Sequence, residues 1–257
     1  MIIIKILLFF FIPVIVIMIC EAIGISNSAF QLITGFSLWV YVVFFKMRSF
    51  GNNNVVKKKP APNATPCFAI IDVETTGLIR YDETPTKKSL KEDPDNFPLI
   101  VQIAWLTLSR DYEIVRQKDY YIKQHKPIPA ESTEVHKITN EICEKKGKDL
   151  QLVLKEFSDD ISECDYYVGH NVMFDKRVIE AECIRSRINK PFKYMKKYDT
   201  MSMGREVMGR RRFKLKDMGL KFLGKKQMKQ FSLHSASDDV AITTACFAWL
   251  HKNGYKY

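Results

Sequence analysis

The stretch that decides the fold occupies residues 68–78 and runs Phe68-Ala69-Ile70-Ile71-Asp72-Val73-Glu74-Thr75-Thr76-Gly77-Leu78. Its first half is an apolar run typical of a buried strand, and the run ends in a turn signal. Because side chains alternate along a strand, Asp72 and Glu74 are expected to project from one face at the strand's end. Two carboxylates so close raise each other's pKa unless a cation lies between them. The stretch therefore predicts either a solvated acidic turn or part of a divalent-metal site.

The segments that follow predict a sheet built beside this first strand. Residues 99–108 and 112–122 have strand-forming sequences separated by a short turn, which predicts an antiparallel meander, while residues 79–98 are polar and predict a loop insertion. Farther on, helical spacing at 150–164, 172–187 and 236–249 alternates with short apolar pieces. Strands followed by mixed helices and strands indicate an α/β or α+β fold with a single sheet flanked by helices.

Three further chemically active residues lie at the starts of two predicted helices. Asp175 follows a predicted strand and turn, and His234 stands five positions before Asp239 at the start of the last helix. A histidine at a helix entrance and an aspartate inside the helix can point toward the same region. Taken singly, Asp175 is more typical of a helix N-terminus, where the macrodipole stabilises negative charge, and Asp239 is more typical of a solvated acid on a helix.

Taken in order, the motifs resemble those of the DEDD exonucleases of the ribonuclease-H-like fold, in the subclass with histidine in its last motif (DEDDh). The resemblance covers about residues 67–250, and the insertion after Leu78 departs from the shortest members. The related tyrosine subclass has a tyrosine four residues before the last aspartate, where this chain has Ser235. The three matching motifs are Asp72-Val73-Glu74-Thr75-Thr76-Gly77-Leu78, His170-Asn171-x-x-Phe174-Asp175 and His234-x-Ala236-x-x-Asp239-Val240-Ala241.

The resemblance implies a metal-dependent 3′-to-5′ exonuclease that releases nucleoside 5′-monophosphates from single-stranded 3′ ends of DNA or RNA. It implies that two divalent ions, Mg²⁺ or Mn²⁺, are held by carboxylates while His234 acts as general base. It also implies a DNA polymerase as a possible partner. The implied metal ligands are Asp72, Glu74, Asp175 and Asp239, and the implied substrate-binding residues are Thr75, Thr76, Leu78 and Asn171. The alternative is a catalytically idle module of the same fold that binds nucleic acid or recruits a polymerase at a membrane.

The front of the chain predicts a membrane anchor. Residues 1–20 and 29–45 are apolar, and each is near the roughly 17 to 25 residues that cross a bilayer as a helix. We therefore expect residues 1–50 to form a hairpin of two transmembrane helices; a cleaved signal peptide followed by one span is the alternative. Basic residues flank the second segment, and none lies in the short connection, so the positive-inside rule predicts that the rest of the chain faces the cytoplasm.

Composition completes the predicted organisation. The chain has 257 residues, with Lys+Arg 40, Asp+Glu 29 and a net charge of +11. Residues 51–66 are rich in asparagine, lysine and proline, which predicts a flexible basic linker before a catalytic domain at 67–257. The six cysteines show no C-x-x-C pair, so neither a zinc site nor a disulfide framework is indicated. A strongly basic run at 205–229 predicts either a solvated surface or a track for nucleic-acid phosphates.

Overall fold

One mixed five-stranded sheet forms the centre of the computed structural model, which describes residues 64–255. The strand order is β3-β2-β1-β4-β5; β1 pairs antiparallel with β2 and parallel with β4, β2 pairs antiparallel with β3, and β4 pairs parallel with β5. This confirms the predicted central strand and antiparallel meander. The strands are β1 (Pro66–Thr75), β2 (Ile100–Ser109), β3 (Ile114–Tyr121), β4 (Tyr166–Gly169) and β5 (Lys196–Asp199).

Helices of very different length connect and cover the strands. The three longest are α4, α5 and α10, and these are the helices that the apolar spacing of the sequence predicted. In chain order the helices are α1 (Lys87–Glu92), α2 (Ala130–His136), α3 (Asn140–Lys146), α4 (Leu150–Ile161), α5 (Met173–Arg185), α6 (Thr200–Met203), α7 (Arg205–Met208), α8 (Leu215–Phe222), α9 (Gly224–Met228) and α10 (Ala236–Lys252).

The alternation of side chains on β1 divides the core into two layers. Ala69, Ile71 and Val73 belong to a cluster that includes apolar residues of α4 and α5. Phe68, on the other face, packs edge-on against Phe247 of α10, with ring centroids 5.1 Å apart. Asp72 and Glu74 share the parity of Phe68 and therefore point toward the α10 side of the sheet. This is how an apolar strand can deliver two carboxylates to one place.

Two segments predicted as loops contain short helices. Residues 79–98 include α1, which begins at a capping box formed by Thr86 and Ser89. The insertion is fixed to α5 because the Arg185 guanidinium donates to the carbonyls of Pro94 and Phe97, at 2.8 and 2.6 Å. Likewise, α2 lies within residues 127–139, which open with Pro127-Ile128-Pro129 and whose sequence predicts a loop. Helices this short gain little from their own periodicity and depend on caps and tertiary contacts, so the loop predictions were wrong there.

Residues 64–255 contain no helix of the length and apolarity needed to cross a bilayer. The predicted hairpin at 1–50 and nearly all of the predicted linker at 51–66 lie outside the described residues.

Candidate active site

The end of β1 presents the first two carboxylates of the site. Asp72 lies opposite Ala104 of β2, and Glu74 lies opposite Gln102, so the pair sits where β1 is still paired with β2 but has passed the end of its pairing with β4 at Ile70. The chain then leaves the sheet in a turn fixed by its own side chains. The Thr75 hydroxyl donates to the Gly77 carbonyl at 2.6 Å. Both carboxylates are therefore anchored on rigid backbone.

Asp175 reaches the same strand from the opposite layer. Its Oδ1 accepts a hydrogen bond of 3.0 Å from the backbone N–H of Val73, the residue between the two β1 carboxylates. The side chain is only 5% exposed. A close turn between β4 and α5 makes this approach possible, because a Cβ on Gly169 would lie 2.7 Å from a methyl group of Val172. Glycine at this position thus lets α5 begin against the sheet with its aspartate turned inward.

The start of α10 supplies Asp239 and His234. The Asp239 N–H donates to the Ser235 carbonyl at 2.9 Å, within the first turn of the helix. His234, just before the helix, is exposed and has a φ of 62°. This left-handed conformation costs an ordinary L-residue roughly 1–2 kcal/mol, and it occurs where the imidazole faces the carboxylates. Strained backbone of this kind is concentrated at functional sites.

The electrostatics show that the acidic groups share one small volume. Burial raises the pKa of Asp72 well above its ordinary value, and the charges of Asp175, Asp239 and Glu74 raise it further. Burial, followed by the charge of Asp239, raises the pKa of Glu74 to about 7. Four acids brought together from three distant motifs repel one another at neutral pH in the protein alone.

The two aspartates on helices show the same destabilisation of their charged forms. Burial raises the pKa of Asp239 to about 7, although the backbone N–H of His234 donates to its carboxylate and opposes the shift. Burial raises the pKa of Asp175 to about 8, against the opposing hydrogen bond from Val73. In both cases hydrogen bonding does not compensate for the loss of water around the charge.

The donor set fits a divalent cation. Glu74, His234 and Asp239 each offer one ligand atom, and these three atoms lie within 4.8 Å of one another. Asp239 Oδ1 is buried and has no hydrogen-bond partner among the described residues. A buried carboxylate oxygen without a partner is costly, and a bound cation would remove that cost. Oxygen-rich sites of this kind suit hard cations such as Mg²⁺ and Mn²⁺.

The predicted substrate-binding residues occupy the turn beside the acids. Thr75 is buried and uses its hydroxyl within the turn, while Thr76 pairs with Leu99 through its hydroxyl and its backbone N–H, both at 2.9 Å. The Leu78 side chain is 79% exposed. Asn171 has a φ of 64° and an exposed side chain, and its backbone N–H is held by Asp199 at 3.0 Å. Leu78 and Asn171 are thus open to a ligand, whereas both threonines shape the turn.

Two histidines near the motifs have structural partners. His170 Nε2 donates to the Phe213 carbonyl at 3.0 Å, and its Nδ1 lies 3.0 Å from the Thr200 hydroxyl. Burial lowers the pKa of His170. His136 Nδ1 accepts from the N–H of Ile138 at 3.0 Å, and burial also lowers the pKa of His136.

Sequence reasoning missed Gln102. This fully buried residue of β2 accepts a hydrogen bond from the N–H of Ala236 at 3.2 Å, and its amide donates to Asp119 at 2.7 Å. It thereby binds the first residue of α10, the helix that carries Asp239, to the strand beside Glu74. The available signal was an amide inside the otherwise apolar run 99–106, where burial requires a hydrogen-bond partner.

Comparison with known proteins places the chain in a family. The family model described as exonuclease, of the RNase T type, matches residues 69–247, so the chain belongs to this exonuclease family. The prediction of a DEDDh-type exonuclease with a ribonuclease-H-like fold is confirmed.

A curated relative and two solved structures show the extent of the similarity. The chain is 32% identical over 125 residues to "DNA polymerase III PolC-type" of Latilactobacillus sakei, an alignment that covers 48% of this chain and only 7% of that relative. A moderately thermophilic exonuclease I from Methylocaldum szegediense superposes with a TM-score of 0.56 at 16% identity, over 73% of this chain and 41% of that one. The zinc-bound E. coli exonuclease I complex with single-stranded DNA gives 0.56 at 17% identity, over 72% and 40%. At these identities the two structures show a shared fold.

Proposed function

We propose that the protein is a metal-dependent 3′-to-5′ exonuclease that hydrolyses the terminal phosphodiester bond of a single strand and releases a nucleoside 5′-monophosphate. The observation that carries this proposal is the convergence of Asp72, Glu74, Asp175 and Asp239 beside His234, with one carboxylate oxygen buried and unpartnered. Family membership supports the same class of reaction. The intact set of acids argues against the alternative of an idle binding module.

The four carboxylates would hold the cofactor. A pair of Mg²⁺ or Mn²⁺ ions bound there would supply a nucleophilic water at neutral pH and neutralise charge that develops on the phosphate. Asp175 is oriented for this by the Val73 N–H, and Asp239 by the N–H of His234. Their positions are therefore fixed by backbone before any ligand arrives.

His234 would accept the proton of the attacking water. Imidazole is a common general base, and the exposed ring of His234 lies beside Glu74 and Asp239. Its ring nitrogen is also close enough to the two carboxylates to serve as a metal ligand. The Leu78 side chain would form an apolar wall against the terminal base, and Asn171 would contact the same nucleotide.

Single-stranded DNA is the first substrate to test. The PolC-type relative is named as a DNA polymerase, and the E. coli exonuclease I neighbour is described in complex with single-stranded DNA. Both names concern longer proteins, of which this chain covers a part. RNA is the competing substrate. The relative's name also supports testing a DNA polymerase as partner.

The decisive experiment uses full-length protein and a 5′-end-labelled single strand of DNA or RNA. In Mg²⁺ we expect a ladder of labelled products shortened one nucleotide at a time, which identifies attack from the 3′ end. EDTA and the variant Asp72→Asn should both abolish the ladder. Release of the label as a mononucleotide in the first turnovers would instead show attack from the 5′ end.

A matched control variant distinguishes the loss of a proposed metal ligand from the loss of an acidic side chain elsewhere. Asp159 lies exposed on α4, away from the carboxylate cluster. Asp159→Asn should leave the rate unchanged. Binding of the strand without hydrolysis in Mg²⁺ or Mn²⁺ would favour the idle module over the enzyme.

We also propose that residues 1–50 anchor the protein in a membrane with the catalytic domain on the cytoplasmic side. The support is the pair of apolar segments and the distribution of basic residues around them. Full-length protein should remain in the membrane pellet after alkaline carbonate extraction. Recovery in the supernatant without detergent would contradict the anchor.

A further inference from the structure

The strongest charge feature of the described residues is a surface formed by residues 205–229, called the basic surface below. It has ten basic residues against two acidic ones, Glu206 and Asp217, which gives a net charge of +8. All ten basic residues are exposed. They are Arg205, Arg210, Arg211, Arg212, Lys214, Lys216, Lys221, Lys225, Lys226 and Lys229. Most of the chain's net charge of +11 is therefore concentrated in 25 residues.

The basic surface and the residues that follow it are hydrogen-bonded to active-site motifs. The Phe213 carbonyl, between Arg212 and Lys214, accepts from His170 Nε2 at 3.0 Å, next to Asn171. Three residues after the basic surface ends, the N–H of Ser232 donates to Asp238, the neighbour of Asp239, at 2.7 Å. The basic surface is thus joined to the second motif, and the segment that follows it is joined to the third.

Four buried apolar residues anchor the basic surface to the rest of the domain. Phe213, Met218, Phe222 and Met228 are each no more than 8% exposed. The Phe222 ring lies against Trp249 of α10, with centroids 4.8 Å apart. Lysines and arginines between these anchors are consequently held on the outer side of α8 and α9.

Most of this charge is not neutralised within the protein. Among the described residues, the only ion pair on the basic surface joins Arg210 to Asp217, at 2.6 Å. Lys221 donates to the Val207 carbonyl, which leaves its charge in place. The aromatic rings of the segment, Phe213 and Phe222, are buried and cannot stack on bases. The chemistry available to a ligand is therefore attraction of phosphates without base recognition.

We propose that the basic surface binds the sugar-phosphate backbone of the single strand whose 3′ end enters the carboxylate cluster. This inference rests on the proposed function, since it places the strand relative to that site. Binding of this kind releases condensed counterions, so it is independent of sequence and weakens steeply with salt. An anionic membrane surface would attract the same residues, but it would not require the connection to the second and third motifs.

The test measures binding without catalysis. Full-length Asp72→Asn protein in EDTA is titrated with a fluorescently labelled oligothymidylate while anisotropy is recorded at several salt concentrations. The triple variant Arg211→Gln, Arg212→Gln, Lys214→Gln is made in the same background. We expect its affinity to fall by about tenfold or more and the slope of log K on log salt to decrease in magnitude by about 2, since each phosphate contact on a single strand contributes about 0.7.

The matched control removes three exposed charges from the opposite end of the sheet, with Arg110→Gln, Lys196→Gln and Lys252→Gln. It should retain both the affinity and the slope. Equal losses in the two triple variants, or no loss in the first, would overturn the proposal. The proposal would also be overturned if the first variant lost binding to phosphatidylserine vesicles and kept its binding to the oligonucleotide. A different outcome would separate the two proposals. If wild-type protein binds the oligonucleotide with the expected salt dependence, loses that binding in the first triple variant and never cuts the strand, the proposed function fails and this inference stands.

Discussion

The two ends of the sheet bury polar groups in opposite ways. Where β1 begins, Tyr112 and Tyr198 place their hydroxyls 2.6 and 3.2 Å from the two ring nitrogens of His251, within a cluster that includes Phe68 and Phe247. Where β1 ends, carboxylates approach one another, and Asp239 Oδ1 has no partner among the described residues.

This contrast separates stability from function. Neutral hydroxyls and an imidazole can satisfy one another inside an aromatic cluster, so that end contributes to folding. Like charges cannot, so the other end lowers the stability of the protein alone, and binding of the proposed cations would restore it. The same strand, β1, thus has a stabilising beginning and a reactive end.

The largest difference between the two ends of the sheet should appear when one acid of the carboxylate cluster is neutralised. Asp239→Asn removes a ligand of the proposed ions, which contribute several kcal/mol to the transition state. We expect kcat to fall by about 10³-fold or more, while the melting temperature measured in EDTA stays the same or rises. A fall in stability without a fall in kcat would show that this end of the sheet serves folding.

Loss of the hydrogen bond that joins Gln102 of β2 to the start of α10 should have an intermediate effect. Gln102→Met leaves the buried N–H of Ala236 without its acceptor, at a cost of about 1–3 kcal/mol. We expect lower stability and a several-fold lower kcat, because Asp239 and His234 lose their alignment with Glu74. Asp119→Ala, at the exposed end of the same network, should change either quantity little. Equal effects of the two variants would contradict the alignment role.

A substitution at the aromatic end of the sheet should change stability and leave activity unchanged. Phe247 is fully buried, and Phe247→Leu removes ring packing against Phe68. We expect the free energy of unfolding to fall by about 1–2 kcal/mol, measured by urea denaturation, with kcat of the folded protein unchanged. A loss of activity larger than the loss of folded protein would show that the two ends are coupled.

The smallest effect is a decline of stability with rising pH that the acidic end produces. The pKa values of Glu74 and Asp239 are raised to about 7 and that of Asp175 to about 8. Because the unfolded chain ionises these groups near pH 4, folding stability in EDTA declines as pH rises from about 4 to about 8.

Calorimetry in EDTA should therefore show a melting temperature lower by at least about 3 °C at the upper end of this range. Millimolar Mg²⁺ or Mn²⁺ should reverse the decline, since the ions bind the ionised carboxylates. A melting temperature that rises with pH in EDTA would contradict the clustering of the acids.

Much of the sheet was predictable because local pattern and final environment agree. Residues 68–78 begin with an apolar run, carry two acids two positions apart and end in a turn. The strand β1 and the turn after it show all three features. The apolar stripe of α4 and the start of α10 were predicted from the sequence for the same reason. The short helices α1 and α2 were not, since six or seven residues show little periodicity and the insertion that contains α1 is held by long-range contacts such as that from Arg185 to the Phe97 carbonyl.

The sequence by itself determined the central strand, the meander and the three long helices, and it nominated the five residues that we propose form the active site, because periodicity and motif order are local properties. Only the tertiary structure decided that Asp175 is held by the Val73 N–H, that Gln102 binds the start of α10, and that the basic surface is joined to the site through His170 and Phe213. The physical reason is that such contacts link residues 43 to 134 positions apart, and their existence depends on how close two backbones come once the layers have packed.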